Sequence, residues 1–106
     1  MMVTENLADV KRAVTQNRVV LVAVVDPDSD EGKVTLNILE RIERSYRGKL
    51  MSVVACMKTL VKGDLAISLF VNGSEVMRQK ELMGNEVKDY QVLKWSIDHI
   101  LDGLNL

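Results

Sequence analysis

The apolar positions of this chain change period several times, and each change predicts an element. Leu7, Val10 and Val14 recur at helical spacing, which predicts a helix over Thr4 to Asn17, with Thr4 or Asn6 as its cap. Val19 to Val25 is an unbroken apolar run rich in valine. Its length and β-branching predict a strand covered on both faces, the habit of a central parallel strand. Asp26-Pro27-Asp28-Ser29 ends the run. Val34, Thr35, Ile38, Leu39, Ile42 and Tyr46 then mark the inner face of a second helix, and Gly48 suits its C-terminal end. Asp28 with Glu31 has capping-box spacing, and Ser29 is an equally good N-cap.

Leu50 to Met57 and Leu65 to Val71 read as two further strands. Asn72-Gly73 predicts a type I′ hairpin turn, which needs positive φ at both positions, into a fourth strand over about Ser74 to Leu82. Glu86 to Gly103 is the last helix. It carries two apolar stripes. Tyr90, Leu93, Ile97, Ile100, Leu101 and Leu104 define a core face, while Val92, Trp95 and His99 fall on roughly the opposite side. The predicted order is α-β-α-β-β-β-α. A helix between the first two strands makes them parallel, and the tight turn makes the last two antiparallel.

Length and charge narrow the picture. A chain of 106 residues is one domain with one core. Its balance of 47% hydrophobic and 27% charged residues is that of a globular protein. The net charge of −1 argues against binding nucleic acid through a strong overall positive field. No apolar run approaches the roughly 18 residues of a membrane span, so no membrane partner is expected. Met1 to Asn6 is polar and acidic, unlike a signal peptide. Cys56 is the only cysteine and has no internal partner. These features point to the cytoplasm.

The order of elements, with Val19-Val20-Leu21-Val22, Ile38-Leu39-Glu40, Ile42 and Ser68-Leu69-Phe70-Val71-Asn72-Gly73, resembles the thioredoxin family from about Val19 to Leu101. The resemblance implies an α/β, three-layer fold with a central four-stranded mixed sheet and helices on both faces. It also implies where the family's chemistry would sit. The Cys-x-x-Cys position reads Ser29-Asp30-Glu31-Gly32. The family's buried acid falls on Ala23, the tryptophan before the dithiol on Asp28, and the cis-proline near Leu65; Pro27 is the only proline. Thiol–disulfide exchange needs an attacking thiolate and a resolving thiol, and neither cysteine is present. The connection from about Lys58 to Asp64 is too short for the family's crossover helix, so that helix is expected to be shortened or missing. One sheet face would then lose cover, and a symmetric homodimer would restore it.

Other residues have sharp and ordinary readings. Asp26-x-Asp28-x-Asp30 has the opening spacing of a calcium loop, but Glu31 stands where glycine is needed and Asn37 where the bidentate glutamate is needed. An acidic helix start is the better reading, and no metal or cofactor is expected. Ser29 as a nucleophile would need a base, and the sole histidine, His99, lies in the last helix. Cys56 within Val53 to Met57 suits a small buried hydrophobe, and Met51 and Met57 suit the core.

The expectation is a redox-inactive, non-enzymatic binding module, adaptor or assembly and chaperone-like accessory protein. Its contact surface would be Val92, Trp95 and His99, and its occupant a protein partner or a second copy. The alternative is a single-thiol redox protein or enzyme using Cys56. Exposure of that thiol separates the two.

Overall fold

Val19 to Val25 forms the middle of the sheet in the computed structural model, which describes residues 1–57, 66–80 and 82–105. The elements are β1 (Met2–Thr4), α1 (Leu7–Gln16), β2 (Val19–Val25), α2 (Asp30–Ser45), β3 (Met51–Cys56), β4 (Ala66–Val71), β5 (Ser74–Gln79) and α3 (Glu86–Gly103). They make one sheet in the order β1-β3-β2-β4-β5. β1 and β2 both run parallel to β3, while β4 is antiparallel to β2 and to β5. A strand hydrogen-bonded on both edges and packed on both faces has no polar surface to offer, which is why β2 is almost purely valine.

The alternation of β2 divides the core. Val19, Leu21, Ala23 and Val25 face a large cluster with Ile38, Leu39 and Ile42 of α2 and Leu93, Ile97 and Leu101 of α3. Val20 and Val22 face the other way, onto Ala13 of α1 and Val53 of β3. Helices therefore lie on both faces, two on one and one on the other. Truncating a fully buried Leu21 or Leu93 to alanine would cost about 2–5 kcal/mol, since the close-packed surroundings collapse only partly.

Four expectations from the sequence need correction. The sheet has five strands rather than four, because Met2–Thr4 pairs with Val53–Ala55 as an extra parallel edge. The first helix accordingly begins at Leu7. Asn6 is its cap, with Oδ1 accepting the Ala8 N–H at 2.9 Å, and Thr4 supports the turn by bonding the Asn6 N–H and the Asp9 carboxylate. Leu104 leaves the core face: it is 45% exposed, because it is the C-cap residue past the last turn of α3. β5 also ends earlier, at Gln79.

Two turns behave as their sequences require. Asn72 and Gly73 both take positive φ, 52° and 83°, and close the β4–β5 hairpin. Gly48 takes φ 78° just past α2. The connection between β3 and β4, including Leu65 at the cis-proline position, lies outside the described residues.

Candidate functional site

The C-terminal ends of β1, β2 and β3 share one pole of the sheet, where the family's dithiol would stand. After Val25 the chain turns on Asp26, whose Oδ1 accepts the Asp28 N–H at 3.0 Å and whose carbonyl accepts the Ser29 N–H at 3.2 Å. Ser29 is the N-cap of α2. Its Oγ accepts the Gly32 N–H at 2.9 Å and donates to the Asp26 carbonyl at 2.8 Å. Ser29 rather than Asp28 is thus the cap, and Ser29–Gly32 rather than Asp28–Glu31 is the bonded pair. The single O–H of Ser29 is thus committed to a backbone carbonyl rather than to a base. Asp30 and Glu31 are exposed in the first turn, where carboxylates face the positive end of the helix dipole.

Gly32 completes the closure. A Cβ there would lie 1.9 Å from the Asp26 carbonyl oxygen and 2.9 Å from its carbon. The loop backbone therefore passes through the space a resolving cysteine would fill.

Cys56 ends β3 at the same pole, paired in register with Val25. It is partly buried against the larger core cluster. Burial, and secondarily the nearby Glu5 carboxylate, pushes its thiol above the ordinary range. Such a group holds little thiolate near neutral pH, which is the opposite of what a reactive cysteine needs.

Val92, Trp95 and His99 lie on the outer face of α3, as their phase predicts. Trp95 is 69% exposed and Val92 is 43% exposed. The Trp95 and His99 rings stack with centroids 5.8 Å apart and planes 12° from parallel. An aromatic pair held in one orientation on a rigid helix presents a flat, partly apolar surface at low conformational cost. Val87, also exposed, begins the same helix.

The crossover helix expected to be shortened or missing falls outside the described residues; on the sheet face beside α1, β4 places Phe70 against the smaller core cluster. On that face β4 and β5 carry a polar set: Ser68 Oγ donates to Glu75 Oε1 at 3.3 Å, and Arg78 Nε pairs with the same oxygen at 2.9 Å. A bulge between Leu69 and Phe70 of β4 and the facing strand leaves Val76 without a register partner and keeps Met77 on the core side.

Sequence reasoning missed the polar clasp between α2 and α3. The Tyr46 hydroxyl donates to Asp98 Oδ1, and Lys94 Nζ reaches Asp98 Oδ2 at 2.9 Å while lying 5.4 Å over the Tyr46 ring. Ser45 Oγ and the Tyr90 hydroxyl are 2.7 Å apart, with the Arg41 guanidinium over the Tyr90 ring. It also missed Asp89, which is fully buried and accepts from the Met83 N–H at 2.7 Å and the Gly84 N–H at 3.2 Å. These groups hold helices and the approach to α3 in place. Among the described residues, no group of three or more His, Cys, Asp or Glu side chains converges as metal ligands would, and no helix is long and apolar enough to cross a membrane.

No protein-family model matches the chain, and no curated protein matches it. Solved structures do. A thioredoxin from Plasmodium falciparum superposes with a TM-score of 0.68 at 17% identity, covering 89% of this chain and 97% of its own. Mitochondrial thioredoxin 3 from Saccharomyces cerevisiae gives 0.65 at 13%, covering 89% and 93%. A designed protein gives 0.70 at 15%, covering 94% and 91%. Identities this low speak for the fold alone. The chain has the thioredoxin fold, in a version with one cysteine and no Cys-x-x-Cys pair.

Proposed function

We propose that this protein is a redox-silent, non-enzymatic binding module built on a thioredoxin scaffold. The observation that carries the proposal is the sole tryptophan, 69% exposed and stacked on His99 on the outside of α3. Tryptophan is favoured at binding hot spots because it buries a large area at modest entropic cost. With Val92 it offers an anchor for a protein partner, acting as adaptor or assembly factor. A second copy of the chain is the occupant that can be tested directly. The closed Ser29–Gly32 loop and the raised thiol of Cys56 both weigh against the single-thiol alternative. A lone unpaired thiol suits the reducing cytoplasm as the working compartment.

Sedimentation of the wild type and of Trp95→Ala over a wide concentration range tests the surface. The wild type should gain mass with concentration, and the variant should stay at 11.9 kDa with an unchanged melting temperature. A wild type that also stays monomeric removes the second copy as occupant. A variant that unfolds shows Trp95 to be structural and removes the patch.

A further inference from the structure

The pole of the sheet opposite the Ser29–Gly32 loop holds a cleft of about 510 Å³ where the start of β2, the end of α2 and the start of β3 meet. Its charged lining is Arg18, Arg44, Arg47 and Lys49, with a single carboxylate, Glu43. That carboxylate is turned to internal use: one oxygen accepts the Ser52 N–H at 3.2 Å, and the other pairs with the Met1 ammonium at 2.6 Å. Among the described residues, none of the four cations forms an ion pair.

Three of the four follow one another at the end of α2, and the fourth comes from another part of the chain. Arg44 lies in the last turn of α2, where the helix dipole alone accounts for a cation. Arg47 and Lys49 flank Gly48 beyond that helix, and Arg18 arrives from the other side, immediately before β2. The dipole of α2 does not explain Arg18. All four side chains are exposed, and a cleft lined by one sign of charge focuses its field and draws counter-ions to it. The apolar lining is Val19 and Leu50, both buried, with the partly buried Met51.

From this convergence of Arg18, Arg44, Arg47 and Lys49 on one cleft, we infer a binding site for a small polyphosphate anion. Guanidinium groups match phosphate oxygens in bidentate geometry, and two or more phosphates are needed to engage cations contributed from both sides. No aromatic side chain lines the cleft, so recognition runs through the phosphates rather than through a stacked base. The site is independent of the α3 surface.

Inorganic tripolyphosphate is the probe, titrated into the labelled protein while backbone amide shifts are followed, with sodium chloride at matched ionic strength as control. Saturable shifts centred on residues 17–19 and 43–51, absent with chloride, are expected. Arg18→Gln/Arg47→Gln should weaken binding by about tenfold or more, as should a rise in salt that shortens the Debye length. Arg44→Gln/Lys49→Gln is a second pair should the first fail to fold. Shifts that never saturate, or that spread equally over Arg12, Lys33 and Lys88, overturn the site. So does a folded double variant that binds as tightly as the wild type. A single-stranded oligonucleotide that occupies these amides when tripolyphosphate does not overturns the ligand class.

Discussion

Gly32 and the carbonyl of Asp26 touch so closely that a single added methyl would sit 1.9 Å from the oxygen. The position that would carry the resolving cysteine is thus filled by backbone. Alanine is ordinarily better than glycine inside a helix by about 1 kcal/mol, so an exposed helical glycine would gain from the change. Here Gly32→Ala should instead destabilise by about 1–3 kcal/mol, the cost of overpacking a closed turn. Ser29→Ala should cost about 1 kcal/mol through loss of the cap. Urea denaturation checks both, and a Gly32→Ala protein as stable as the wild type would mean the loop yields freely.

A protein without vicinal thiols should leave dithiothreitol-driven insulin reduction at the rate of the blank. Cys56 should label with a thiol reagent far more slowly than a free cysteine at neutral pH, and faster as the pH climbs, because burial and Glu5 hold its thiol protonated. Rapid labelling of the native protein at neutral pH would favour the single-thiol alternative.

The clasp of Tyr46, Lys94 and Asp98 should tie stability to pH at both extremes. Burial pushes the Asp98 carboxyl up, but hydrogen bonds from Tyr46 and Lys94 and the charge of Lys94 outweigh it and hold the group below the carboxylate range. Its contribution is full above the unfolded value, about 3.9, and is lost as pH falls through the lower folded value. Tyr46 is raised by burial first, then by Asp98. Its proton is held in the folded state and released from the unfolded chain near pH 10, so this contribution fades as pH rises beyond that point. Tyr46→Phe should cost about 1.5–3 kcal/mol at neutral pH, the range for a hydrogen bond to a charged group, and should flatten both limbs. A stability–pH curve identical to that of the wild type would remove the clasp from the account.

Asp89 is the most consequential buried polar side chain among the described residues. Asp89→Ala strands the Met83 and Gly84 N–H groups and should destabilise by about 2–3 kcal/mol, whereas Asp89→Asn keeps one acceptor and should cost less. Thermal unfolding of the two variants ranks them. Equal losses would show that packing rather than hydrogen bonding sets the cost.

Most of this architecture is written in local patterns. The valine run of β2, the phases of α2 and α3 and the Asn72-Gly73 turn each carry their own signal, so the order of these elements and the outward turn of Trp95 were readable from spacing, while the fold came through the family resemblance. β1 was not, because three residues with one neighbouring strand have too few positions to set a period. Nothing in the local pattern singles out Asp89, since an acid in the first turn of a helix is ordinarily exposed; its burial depends on its bonds to the Met83 and Gly84 N–H groups. Tyr46 and Asp98 are 52 positions apart, and only the packing of α2 on α3 brings them together. The cationic cleft was hidden for the same reason: Arg18 is distant in sequence from Arg44, Arg47 and Lys49, and a net charge of −1 conceals their convergence.

The two margins of the sheet have a bearing on how this protein can meet others. At one margin β1 offers only three residues of backbone; at the other, β5 is kinked by the unpaired Val76 and bristles with Glu75 and Arg78. Short, bulged or charged margins make poor templates for an incoming strand. Growth by adding strands, the route to fibres, is thereby obstructed at both ends. Encounters are left to side chains, and on α3 those are a valine, a tryptophan and a histidine in a row.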